Sequence, residues 1–114
     1  MQIPQDAVLL RIFLGEDDRG PDGRPLYESI VLKAREMHLA GATVLRGPLG
    51  FGHSSRLHTA KVLRLSEDLP MVIEIVDSDD RIKALLAALG DSLDAGLVTL
   101  GKVQVLRYGR SSDG

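Results

Sequence analysis

The segment from Arg46 to Lys61 holds the densest set of side chains able to do chemistry, Arg-Gly-Pro-Leu-Gly-Phe-Gly-His-Ser-Ser-Arg-Leu-His-Thr-Ala-Lys. Arg46, Arg56 and Lys61 supply positive charge, and Ser54, Ser55 and Thr59 supply hydroxyl donors. Gly47, Gly50 and Gly52 let backbone amides approach an anion with no Cβ in the way. Arg forks and backbone N–H nests are what phosphate sites are made of, so this stretch is a candidate phosphate cradle. Gly50-Phe51-Gly52 does not open a helix, which sets it apart from dinucleotide fingerprints and P-loops. The competing reading is a plain hairpin loop between two strands.

Other chemistries fit less well. His53 and His58 are five residues apart across a loop-to-strand junction, which is not a ligand spacing for zinc, and no third ligand is near them in sequence. His58 instead reads as a packing or titrating interface residue. Ser54 or Ser55 as nucleophile, with His53 or His58 as base, needs an orienting acid such as Glu67 or Asp68, and nothing in the spacing delivers one. Asp17, Asp18 and Asp22 flank Gly20 and Gly23 without the alternating ligand series or closing Glu of a calcium loop.

Composition bounds the partners. The chain has 114 residues, one domain's length, and at 44% hydrophobic it can bury a core. Phe13, Tyr27, Phe51 and Tyr108 are its aromatics, so that core is aliphatic. A net charge of −2 gives no footprint for nucleic acid. Without cysteine, disulfides and thiolate metal sites are excluded. Met1 to Asp6 shows no signal-peptide pattern and no segment approaches a membrane span, so the expected location is cytoplasmic.

The elements that must position the cradle follow from periodicity. Ala7–Gly15 reads as a strand, and Glu16–Arg24 as a loop. Tyr27, Ile30, Val31, Ala34, Met37 and His38 recur at helical spacing, predicting a helix over Pro25–Leu39 with Gly41 as its stop signal. Ala42–Arg46, Leu57–Leu65 and Met71–Val76 read as strands, with a turn at Asp68-Leu69-Pro70. Ser78-Asp79-Asp80 offers a cap and an acidic first turn for a second helix. Its apolar stripe is Ile82, Leu85, Leu86, Leu89 and Leu93. Gly96 closes that segment. Lys102–Tyr108 reads as the last strand and Gly109–Gly114 as a loose tail. The expected architecture is α+β, a ferredoxin-like βαββαβ sandwich with an antiparallel sheet and two helices on one face, forming a single domain over 1–114 with its core at about 7–108.

Alternation divides the sheet residues into two faces. Val8, Leu10, Ile12 and Leu14 oppose Leu9, Arg11 and Phe13, and Met71, Ile73 and Ile75 oppose Val72, Glu74 and Val76. Leu57, Leu63 and Leu65 likewise oppose His58, Ala60, Val62 and Arg64. The second face is too apolar for a solvated one, which predicts a homo-oligomer joined through it, with Arg11, Glu74 and Arg64 pairing among themselves. A monomer with a mildly apolar open face is the alternative.

Four stretches taken together resemble one family: Leu10-Arg11-Ile12-Phe13-Leu14-Gly15-Glu16, Gly41-Ala42-Thr43-Val44-Leu45-Arg46-Gly47, Gly50-Phe51-Gly52, and Leu65-Ser66-Glu67-Asp68-Leu69-Pro70. This ordered series resembles the PII-like signalling proteins, in the uncharacterised, domain-of-unknown-function branch often encoded near fluoride-export channels. The likeness runs over about Val8 to Tyr108. It implies a homotrimer whose sheets line a central core, and it places Arg46–Arg56 in the long loop with which PII proteins sense ligands and touch targets. It implies an adenine nucleotide as ligand, held between subunits by the Gly-rich loop base and by C-terminal basic residues, here Arg107 and Arg110. The sequence departs from the family pattern at the second nucleotide loop. Where a Gly-Asp-Gly-Lys turn would stand, the chain reads Asp94-Ala95-Gly96-Leu97-Val98-Thr99-Leu100-Gly101, and Asp22-Gly23-Arg24-Pro25 lies in the wrong place.

The function this implies is regulatory rather than enzymatic. A small anionic metabolite binds through Arg46, Gly47, Gly50, Gly52, His53, Ser54, Arg56 and Arg107, and controls a partner such as a membrane transporter or channel. The alternatives are a small hydrolase on the same fold and a structural or cation-binding trimer like the CutA proteins, since one fold hosts many functions.

Overall fold

The computed structural model describes residues 6–51, the backbone of 58–59, and residues 68–94 and 96–109. The element order is β1 (Asp6–Gly15), α1 (Leu26–Glu36), β2 (Thr43–Arg46), β3 (Leu49–Gly50), β4 (His58–Thr59), β5 (Pro70–Asp77), α2 (Asp79–Leu89), a 3-10 turn at Gly90–Leu93 and β6 (Leu97–Gln104). β1, β2, β5 and β6 form an antiparallel sheet in the order β2-β5-β1-β6. With α1 and α2 this is the ferredoxin-like βαββαβ arrangement. β3 and β4 make a separate two-stranded ladder inserted between β2 and β5.

The alternation read in the sequence is the alternation of burial. Leu10, Ile12, Leu14, Met71, Ile73 and Ile75 are buried and pack against Leu26, Ile30 and Ala34 of α1 and Ile82 and Leu85 of α2. The side chains between them point away from the helices. There Phe13 keeps 36% of its surface exposed, Leu97 keeps 60%, and Arg11 Nε lies 2.8 Å from Glu74 Oε2. Arg11 and Glu74 are direct register partners, so the expected pairing of mid-strand charges holds for these two. Arg64 lies outside the described residues.

Several boundaries differ from expectation. The strand read over Leu57–Leu65 enters the described residues only at His58–Thr59, which pair with Leu49 and Gly50 rather than joining the main sheet. The last strand is Leu97–Gln104, not Lys102–Tyr108: Leu97 already sits opposite Phe13, and Gly101 interrupts the alternation that would have revealed it. Leu93 does not continue α2, because Gly90 takes φ 52° and turns the chain into the 3-10 segment.

α1 stops before Gly41. Its end is a Schellman turn in which His38 N–H donates to the Arg35 carbonyl (3.1 Å) and Leu39 N–H to the Ala34 carbonyl (3.0 Å). The left-handed residue this turn requires is His38, at φ 61°. A non-glycine residue there is strained by about 1–2 kcal/mol. Neighbouring bonds hold it in place. Arg81 Nη1 donates to the His38 carbonyl (2.6 Å), Ala40 N–H donates to Asp77 Oδ2 (2.8 Å), and Tyr108 Oη donates to the Ala40 carbonyl (2.9 Å). Asp77, only 1% exposed, also accepts from Ser78 N–H at 2.7 Å and so joins the end of β5 to the cap of α2.

Replacing His38 by Gly is expected to raise the unfolding midpoint by roughly 4 °C, about 1 kcal/mol, because Gly takes the left-handed conformation without strain. An unchanged or lowered midpoint in a thermal melt would show that the turn is not strained.

Candidate anion site at the base of the loop

β2 ends at Arg46, opposite Met71 of β5. The ladder continues one bond further, Gly47 N–H donating to the Pro70 carbonyl at 2.8 Å. On the other side of β5, β1 ends at Gly15 opposite Pro70, and Glu16 N–H donates to the Leu69 carbonyl at 2.8 Å. Two strand ends therefore meet over the first residue of β5. Arg46 Nη2 spans the gap to Glu16 Oε2 at 2.6 Å.

The glycines at this point have a packing role that spacing alone did not show. A Cβ on Gly47 would lie 3.0 Å from Pro70 Cγ, and one on Gly50 would lie 2.9 Å from it. Neither glycine has a positive φ. Their lack of a side chain lets the chain lie on the proline ring as it leaves β2 and enters β3. Gly15 is similarly close-packed, its would-be Cβ 2.6 Å from Asp68 Oδ1, and that same oxygen accepts the Asp17 N–H at 2.7 Å.

Of the residues expected to bind an anion, Arg46, Gly47 and Gly50 are gathered at this corner. Gly52, His53, Ser54 and Arg56 lie outside the described residues, as do Ser55, Lys61 and Arg110. Arg107 is at the far end of the sheet. Its neighbour Tyr108 bonds to Ala40, and β6 ends at Gln104 opposite Asp6. Arg46 is level with Met71 and hence with Leu14. The span of β1 from Leu14 to Asp6 is roughly 25 Å at about 3.3 Å per residue. A single copy does not bring Arg46 and Arg107 onto one small ligand.

Two residues of this corner were not among the expected site residues. Glu16 is one, and its signal was its place just past the first strand, on the end of the sheet where the fold also puts Arg46. Pro70 is the other, read as part of a turn when it is the first residue of β5. The Asp17–Asp22 loop is tied to itself: Asp18 Oδ2 accepts Gly15 N–H at 2.9 Å, and Asp22 Oδ1 accepts both Arg24 N–H and Ser29 Oγ–H at 3.2 Å. Desolvation pushes the Asp22 carboxyl up, but its bonds to Arg24 N–H and Ser29 and the Arg24 charge outweigh it and hold the group below the ordinary carboxylate value. No group of three or more metal-binding side chains occurs among the described residues. No helix among them is long and apolar enough to cross a membrane. A cleft of about 470 Å³ between α1 and the end of α2 is lined by Leu26, Ser29, Lys33, Leu89 and Ser92, among others, and by none of the expected ligand residues. In place of a second Gly-rich loop before β6, Asp94 and Gly96 N–H groups donate back to the Asp91 and Leu93 carbonyls in a tight turn.

Comparison with known proteins places the sequence. A family model, DUF190, described as "Uncharacterized ACR, COG1993", matches residues 7–105. The chain belongs to the DUF190 family. Among curated relatives of this DUF190 chain, a UPF0166 protein of Aquifex aeolicus is 38% identical over 98 residues, covering 86% of this chain and 91% of that one. UPF0166 protein MJ1524 of Methanocaldococcus jannaschii is 30% identical over 102 residues, covering 89% and 93%. Among solved structures, CPII of Thiomonas intermedia K12, a nitrogen regulatory PII-like protein bound to ADP, AMP and bicarbonate, superposes with a TM-score of 0.67 at 19% identity over 90% of each chain. A second CPII structure, bound to ADP and bicarbonate, gives 0.66 at 18% identity over 90% of each chain. The DUF190 chain thus has the PII-like ferredoxin fold.

The packing of Gly50 on Pro70 is directly testable. Gly50→Ala is expected to cost about 1 kcal/mol of stability from overpacking. The cost should disappear when Pro70 is also replaced by Ala, because the clash needs both partners. Urea unfolding of the two single variants and the double variant measures the coupling, and additive effects would remove the proposed contact.

Proposed function

We propose that this protein is a PII-like regulator whose oligomer, a homotrimer by the family resemblance, binds a small anionic metabolite at the base of the loop that follows β2. The observation that carries the reading is the corner at Pro70. There the strand bearing Arg46 ends, two glycines lead the chain over a proline ring, and the segment richest in anion-binding side chains begins. An anion held at Arg46 acts on the first residues of that segment, so occupancy biases its conformation and with it the surface offered to a partner. A membrane transporter or channel fits that partner role. Adenine nucleotides lead the candidate ligands, since CPII, which shares the fold, is bound to ADP and AMP.

The distance between Arg46 and Arg107 supports a site made by two copies rather than one. The open face of the sheet supports the same arrangement. It exposes Phe13 and Leu97 beside an Arg11–Glu74 pair that needs no further partner for its charge. Sheets meeting there would bury apolar surface without stranding an ion. The sequence before β6, Asp94-Ala95-Gly96-Leu97 in place of a Gly-Asp-Gly-Lys turn, supports nucleotide binding through residues other than a second Gly-rich loop of the usual PII kind.

A thermal-shift series with ADP, AMP and bicarbonate tests the reading. At a hundred times its dissociation constant, a ligand of the folded state adds about 2.7 kcal/mol of stability. ADP is expected to raise the melting temperature, and Arg46→Ala to abolish the rise while leaving the protein folded. No shift with any of the three, or a shift untouched by Arg46→Ala, would overturn the reading.

A further inference from the structure

Arg46 is already occupied. Its Nη2 is held 2.6 Å from Glu16 Oε2, and the contact is single-pronged, one guanidinium nitrogen on one carboxylate oxygen. Glu16 is a fixed acceptor. Its own N–H is bonded to Leu69, the preceding Gly15 N–H is bonded to Asp18, and the following Asp17 N–H is bonded to Asp68. Three successive backbone amides therefore anchor the residue that carries the carboxylate. The two side chains differ in exposure: Glu16 is 21% exposed, whereas Arg46 is 57% exposed and open to a second anion.

We propose that Glu16 is an internal competitor for the anion at Arg46, and so sets how strong an anion must be to occupy the site. The inference rests on the reading of the preceding subsection, that Arg46 binds the ligand. An arginine fork is best satisfied by an anion offering two oxygens in its plane. Glu16 offers one. A phosphate group carries more charge than a carboxylate and supplies two or three oxygens, so it can take Arg46 from Glu16. A monoanion that can do no better than Glu16 itself gains little by the exchange. The carboxylate thus weakens binding of every anion by a common factor, so that only an anion offering Arg46 more than Glu16 does is held appreciably. Displacing Glu16 also unties β1 from the end of β2, so ligand arrival is felt at the first residue of the loop.

The test is the dissociation constant of ADP, and of inorganic pyrophosphate, by calorimetry on the full chain. An exposed ion pair shifts an equilibrium constant by up to about fivefold. Glu16→Gln, which keeps the shape and removes the charge, is expected to tighten both ligands by about two- to fivefold. Glu16→Ala is expected to do the same. Asp17→Asn makes an identical change in net charge next door, at a side chain that does not meet Arg46, and is expected to change affinity less than twofold. Bicarbonate is expected to gain by about the same factor, because the ion pair it must displace is the same. Wild-type binding that Glu16→Gln and Glu16→Ala leave unchanged, or that Asp17→Asn tightens equally, would overturn the role of Glu16 and leave the anion site standing. Binding by Glu16→Gln where the wild type shows none would support it. Failure of every variant to bind either ligand would overturn both this role and the anion site.

Discussion

Strand β5 is hydrogen-bonded on both edges, to β1 from Val8 through Gly15 and to β2 from Thr43 through Arg46. Both ends of the sheet take their geometry from that double pairing. Along its length β5 supplies Met71, Ile73 and Ile75 to the core, each worth roughly 1.5–3 kcal/mol of burial. At its first residue, Pro70 receives the ends of both neighbours and the glycines that leave β2. At its last residue, Asp77 is buried with its carboxylate on two backbone N–H groups, which fixes the turn after α1 and the start of α2. Removing such an acceptor leaves buried donors unpaired, a cost of about 1–3 kcal/mol for each.

The parts of the fold that burial dictates were legible in the sequence. Alternation assigned Leu10, Ile12, Leu14, Met71, Ile73 and Ile75 to one face and Arg11 and Glu74 to the other, since every side chain of a strand takes its face from its register. The helix seams were legible for the same reason. What escaped depends on backbone conformation or on the lack of a packed face. β6 is an edge strand with most of its residues exposed, so its pattern is weak and its start at Leu97 could not be read. Gly41 reads as the stop signal of α1, past an expected end at Leu39, because glycine is the usual left-handed residue, whereas His38 takes that conformation under tertiary ties from Arg81, Asp77 and Tyr108.

The site was legible only in part. Arg46, Gly47 and Gly50 were picked out by composition, and the structure puts them on one corner, though the glycines there serve contact with Pro70. The Arg46–Glu16 pair depends on β5 lying between the strands that carry the two residues, and no local spacing encodes that. The family resemblance brought Arg107 into the same site, but the topology puts it at the opposite end of the sheet. An inter-subunit site reconciles the two placements, and it fits the exposed apolar face.

The most direct test of that central claim is complementation between copies. Arg46→Ala and Arg107→Ala chains, each carrying a different tag, are co-expressed, and the mixed oligomers are isolated for ADP titration. If each site takes Arg46 from one copy and Arg107 from its neighbour, both parent variants lose binding and the mixed oligomers regain intact sites. Mixed oligomers that bind no better than the parents, or an Arg107→Ala parent that binds as the wild type does, would contradict a site shared between copies.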